Sequence, residues 1–185
     1  GAAIELQRVS IQSSGFIGAV AVEGVGSSLS ADGVDITAEN GRGIGVTSAA
    51  LTFRNGSINA KGDGITLSSL YQKPGGTAVV SHSRITSQNG NGINVNADQA
   101  AADLDSVQVT ALGDYGVAIW MPGSNTRVDV KDSILQTRGQ SAVAIDNRGG
   151  VFTMDGGSIS TLGDNSHALY ASPDTTNSPG AVFNV

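Results

Sequence analysis

Seven times along the chain an apolar residue is followed seven positions later by another: Ile4/Ile11, Leu29/Ile36, Leu51/Ile58, Ala78/Ile85, Ala102/Val109, Val128/Leu135 and Phe152/Ile159. Successive starts lie 25, 22, 27, 24, 26 and 24 residues apart. A period of this length belongs to stacked supersecondary units, none of which buries its apolar face alone. Within each unit the apolar positions alternate with polar ones. Leu51 and Phe53 flank Thr52, Ile58 and Ala60 flank Asn59, and Ile65 and Leu67 flank Thr66. Alternation with period two is the mark of a half-buried strand, so each repeat predicts three short strands.

Between first and second strands the chain carries turn formers such as Asp32-Gly33, Asn55-Gly56, Asp132-Ser133 and Asp155-Gly156-Gly157. Between second and third it carries Gly41-Arg42-Gly43, Gly62-Asp63-Gly64, Asn89-Gly90-Asn91-Gly92 and Gly113-Asp114-Tyr115-Gly116. These residues tolerate positive φ or bond their own backbone. Strands joined this way predict an all-β, single-stranded parallel β-helix of about seven rungs, right-handed by the bias of parallel crossovers. If the third strands start at Val20, Ile44, Ile65, Ile93, Val117 and Val143, the second corner spans 9, 8, 7, 8, 8 and 8 residues. The third then spans 9, 7, 13, 9, 11 and 9. Length variation is thus expected at one corner, with loops near 68–77, 96–101, 120–127 and 170–180 along a single flank. Surface loops accept insertions cheaply and are where recognition is placed on a rigid scaffold.

Stacking the rungs also predicts ladders. Three positions after each start come Gln7, Asp32, Arg54, Ser81, Asp105, Lys131 and Asp155. The opposite charges Asp32/Arg54, Asp105/Lys131 and Lys131/Asp155 are expected to pair across neighbouring strands, at roughly 0.2–1 kcal/mol each. The second strand's outward row, from Gln12 to Ser160, is polar throughout.

Composition agrees: charged residues are 14%, aromatics 4%, and glycine contributes 26 residues, which suits short strands and tight turns. The formal charge of −6 and the lack of any Lys/Arg-rich run exclude a phosphate-backbone binder, so nucleic acid is not an expected partner. Without cysteine there is no disulfide frame or thiolate metal site. No apolar run reaches the roughly 20 residues of a membrane-crossing helix. Residues 1–185 read as one segment with no internal boundary. The pattern starts at Ile4 and still runs at Val182 and Val185, as expected of an excerpt from a longer solenoid, with any targeting or anchoring element outside it.

The rung Ala50-Leu51-Thr52-Phe53-Arg54-Asn55-Gly56-Ser57-Ile58, followed by Asp63-Gly64-Ile65, resembles those of pertactin-like passenger domains of bacterial autotransporters, and the repeat style spans the whole chain. The resemblance implies export through the outer membrane by a C-terminal β-barrel absent from these residues. It further implies display at the bacterial surface, or release, as a non-catalytic adhesin or host-interaction virulence factor. The implied partners are a host cell-surface, matrix or serum protein, or further copies of the chain.

Several residues carry candidate chemistry. Tyr71, Gln72 and Lys73 sit in the longest insertion, and Trp120, the sole tryptophan, and Met121 lie beside a variable connection; tryptophan and tyrosine are frequent contact anchors. Lys61-Gly62-Asp63 resembles integrin-binding tripeptides, although Leu112-Gly113-Asp114 and Leu162-Gly163-Asp164 at the same corner mark Gly-Asp there as turn chemistry first. Asp103 and Asp129 occupy the same outward position on adjacent rungs, the basis for an alternative reading as a polysaccharide-active lyase or hydrolase. His82 and His167 lie on other rungs without a matching partner. Asn89-Gly90-Asn91-Gly92-Ile93-Asn94 is a single imperfect copy of a calcium-binding repeat, too little to enclose an ion. No catalytic residue, cofactor or metal site is expected.

Overall fold

The structure is a computed structural model that describes residues 1–172 and 180–185. Among the described residues there are twenty strands and no helix, and the strands pair in parallel. The chain is a parallel β-solenoid of seven coils, with Val182–Asn184 beginning an eighth against Val151–Thr153.

First and second strands belong to one 13-stranded sheet and third strands to a separate 7-stranded sheet. The larger sheet is continuous because Arg127–Thr137 and Val151–Thr161 in coils 6 and 7 run unbroken through the first corner. The register stacks every start expected from the sequence: Ile4, Leu29, Leu51, Ala78, Ala102, Val128 and Phe152. Phe183 joins as an eighth, its ring 5.9 Å from that of Phe152. The second strands stack Ile11, Ile36, Ile58, Ile85, Val109, Leu135 and Ile159. Inward aliphatics therefore fall over aliphatics in one buried column that includes Leu29, Leu51, Phe53, Ile58, Ile85 and Phe152. No coil could bury that surface unaided.

The third strands depart from expectation in coils 5 and 6. Ile93 pairs with Ile119, and Ile119 with Ile145 and Leu169, so Val117 and Val143 are not the equivalents of Ile93. The second corner consequently grows to ten residues in coils 5 to 7, where Tyr115, Ser141 and Asn165 adopt φ of 53–58°. The third corner, counted from Ile119 and Ile145, shrinks to nine and seven. Length variation is shared between two corners, with the largest single insertion still at 69–76.

The first corner holds its spacing because the fourth residue after each start is left-handed in all seven coils: Arg8, Gly33, Asn55, His82, Ser106, Asp132 and Gly156. That conformation bends the chain at one residue while keeping its N–H along the coil axis. Arg8 donates to the Asp32 carbonyl (2.9 Å), Asn55 to Ser81 (3.2 Å) and His82 to Asp105 (3.0 Å). The next residue points inward, and where it is serine its hydroxyl repairs the turn. Ser133 Oγ donates to its own Lys131 carbonyl (2.6 Å) and accepts from Val107 N–H (3.0 Å), as Ser83 does for Ser81 and Gly56.

At the second corner Gly43, Gly64 and Gly92 stack so closely on the core that a Cβ on any of them would lie 2.3 Å from a methyl of Ile58, Ile85 or Val109. Coils 5 to 7, with the longer corner, carry Ala118, Ala144 and Ala168 instead.

The charge ladder differs from expectation. Asp32/Arg54, Asp105/Lys131 and Lys131/Asp155 are in register, yet none forms an ion pair. Asp32 accepts instead from Asn55 Nδ2 (2.8 Å) and Asp105 from Ser106 Oγ (3.0 Å). Asparagine and serine at the left-handed corner sit nearer those carboxylates than the long cations of the next strand, which remain in water.

Candidate recognition site

The third corner forms a hydrogen-bonded shelf. Ser48, itself left-handed and buried, accepts Leu70 N–H (2.8 Å) and donates its hydroxyl to the Pro74 carbonyl (2.8 Å). It thereby holds both feet of the 69–76 insertion. Gly75 N–H donates to Asp98 of the next coil (3.0 Å), Asn125 Nδ2 to the Asp98 carboxylate (3.0 Å) and Asn125 N–H to Gly149 (3.2 Å). Successive loops therefore support one another up the flank.

Above this footing the insertion closes on itself through Lys73 N–H to the Leu70 carbonyl (3.0 Å), with Gln72 at φ 54°. Tyr71 stands at its tip, 87% exposed, between Leu70 and the exposed Gln72 and Lys73. Against the same flank a groove of about 330 Å³ runs between Val25 and Pro74 over Ala49 and Ala50. The expected loop at 170–180 lies mostly outside the described residues.

Other candidate residues fall elsewhere. Met121 is fully buried, which corrects its expected place at a contact surface. It shares the inward parity of Ile119, and Pro122 ends the strand only after it. Trp120 points outward from the third sheet between Asn94 and Asp146. Lys61 is exposed, but the Asp63 carboxylate is spoken for: Oδ1 accepts Asn91 N–H (2.8 Å), and Oδ2 accepts Asn94 Nδ2 (2.8 Å) and Thr66 Oγ1 (3.3 Å). Its geometry is that of a corner-fastening group.

Asp103 and Asp129 are adjacent in register as expected, with Arg127 between them. The guanidinium meets Asp103 at 2.8 Å and also contacts Asp129. The three side chains are 37–50% exposed, and the two aspartates border a shallow trough of about 590 Å³ over Val79, reaching from Arg54 to Asp155. Both carboxylates face the same cation. The sequence reading missed Arg127, one residue before the apolar start Val128 and therefore on the same outward face as Asp129. It also missed Tyr115, 77% exposed at the second corner in a left-handed conformation.

No protein-family model, curated protein or solved structure matches this chain.

Proposed function

We propose that the chain is part of the surface-displayed or released passenger of a bacterial autotransporter, acting without catalysis by presenting loops to a host cell-surface, matrix or serum protein or to further copies of itself. The observation that carries this reading is the 69–76 insertion: a closed turn, clamped by Ser48 at both feet, that holds Tyr71 87% exposed on an otherwise regular scaffold. A preorganised aromatic loses little entropy on docking and is suited to anchoring an interface. The resemblance of the Ala50–Ile58 rung supplies the export route and the class of partner. The alternative, a polysaccharide-cleaving enzyme using Asp103 and Asp129, is disfavoured by their shared ion pairing with Arg127.

The test replaces the insertion with the short Thr47-Ser48-Ala49-Ala50 connection of the preceding coil, alongside Tyr71→Ala. Binding of purified protein to host cells, to immobilised matrix and serum proteins, and to itself is then measured. Loss of attachment with unchanged circular dichroism supports the reading. Attachment that survives both changes places recognition elsewhere, and release of reducing ends from acidic polysaccharides that stops with Asp129→Asn favours the enzyme.

A further inference from the structure

On the outer face of the third sheet, one residue from each of coils 2 to 7 falls in a single row: Gly45, Thr66, Asn94, Trp120, Asp146 and Tyr170. Neighbouring strands lie about 4.8 Å apart, so Trp120 and Tyr170, two steps apart, are separated along the axis by about 9.6 Å. Asp146 stands between them, gripped by Arg148 through Nε (3.2 Å) and Nη2 (3.1 Å). Asp63 is likewise engaged by three donors, so both carboxylates of this face already have partners. Beside Trp120, Asn94 is 6% exposed, and its Oδ1 has no hydrogen-bond donor while Nδ2 is fixed on Asp63.

We infer that this row is a binding strip for a linear, uncharged, β-linked glycan lying along the coil axis, with Trp120 and Tyr170 as stacking platforms. A pyranose ring offers a face of C–H groups rimmed by hydroxyls, and its complement is an aromatic ring beside planar polar groups; Trp120 and Tyr170 stand in one row with Asn94 and Asp146, whose largely covered amide and carboxylate adjoin them. Sites for such ligands combine apolar and aromatic surface with a few placed polar groups. The two rings are spaced close to the repeat of an extended β-linked disaccharide, so alternate sugars would meet the aromatics and the intervening one would lie over Asp146 and Arg148. A strip one residue wide, repeating at the ladder step, fits a polymer better than the broad patch of a protein interface. The inference is independent of the third-corner loops.

Because Trp120 is the only tryptophan, its emission reports directly on the strip. The 185-residue chain is titrated with hexasaccharides of β-1,4-linked N-acetylglucosamine and of β-1,4-linked glucose. A saturable emission change that high salt leaves intact is expected, since no charge pairing is involved. By calorimetry, Trp120→Ala should abolish binding and Tyr170→Ala should weaken it about tenfold or more, the scale of losing a contact aromatic. Tyr71→Ala should leave it unchanged. Circular dichroism of each variant separates lost binding from lost fold. The inference is overturned if a folded protein responds to neither oligosaccharide, if binding survives in the Trp120→Ala, Tyr170→Ala double variant, or if Tyr71→Ala removes it.

Discussion

Asn147, fully buried at the end of the third strand in coil 6, donates its side-chain amide to the carbonyl of Val182, 35 residues further along in coil 8 (3.2 Å). The same amide bonds the Gly150 carbonyl (2.9 Å), and Oδ1 accepts the N–H groups of Gly149 (3.3 Å) and Gly150 (2.9 Å). One polar side chain inside an aliphatic column thus satisfies both glycine N–H groups of the tight 148–150 corner. Asn147→Leu has a similar volume but orphans those backbone groups. At about 1–3 kcal/mol for a buried group left unpaired, and about 2–4 °C per kcal/mol for a chain of this size, its melting temperature should fall by several degrees. Hydrogen exchange should localise the loosening to coils 6 to 8.

Thr137 presents the opposite case. It is fully buried on the inward face of coil 6, and its hydroxyl has no partner. Thr137→Val keeps the branched shape and removes the unsatisfied group, so chemical denaturation should show a gain of about 1 kcal/mol. A loss would mean that the hydroxyl is bonded in solution.

His82 occupies the left-handed corner position that Gly33 and Asn55 fill in other coils. A side chain bearing Cβ costs about 1–2 kcal/mol there, histidine tolerating it less readily than asparagine, and its N–H, not its ring, makes the corner's bond to Asp105. His82→Asn should therefore raise the denaturation midpoint, whereas His82→Val, branched at Cβ, should lower it.

Arg127 links Asp103 and Asp129, and all three side chains are about half exposed or a little less. Exposed pairs of this sort are worth about 0.2–1 kcal/mol and weaken with salt. A double-mutant cycle of Arg127→Gln with Asp103→Asn should give a coupling in that range at low ionic strength and almost none in molar salt. A larger, salt-insensitive coupling would show that the triad is more sheltered than its geometry indicates.

The first two strands and their corner were legible because one fixed spacing of seven joins apolar residues in every coil. The third strand was read two residues early in coils 5 and 6. Val117 and Ile119 share one face of a strand, so period-two alternation does not distinguish them, and the register with Ile93 decides. Glycine and asparagine announced the left-handed corner at Gly33 and Asn55, while Arg8, His82 and Ser106 adopt it in register with the neighbouring coils. Tyr71 was visible as an insertion. Asn147 carried little signal beyond the Gly149-Gly150 pair that follows it, and Arg127 stood alone in sequence, without the basic cluster that would have drawn attention to it.

The in-register stacking also governs how the molecule bears load. Tension that draws one end away along the axis meets chiefly the bonds between the outermost coil and its neighbour, because the strands pair between adjacent coils, with side-chain ties such as Asn147 to Val182 reaching one coil further. Peeling then advances a coil at a time, each detachment releasing some 22–27 residues of slack. A tether built this way yields in small steps and re-forms against the intact stack behind it.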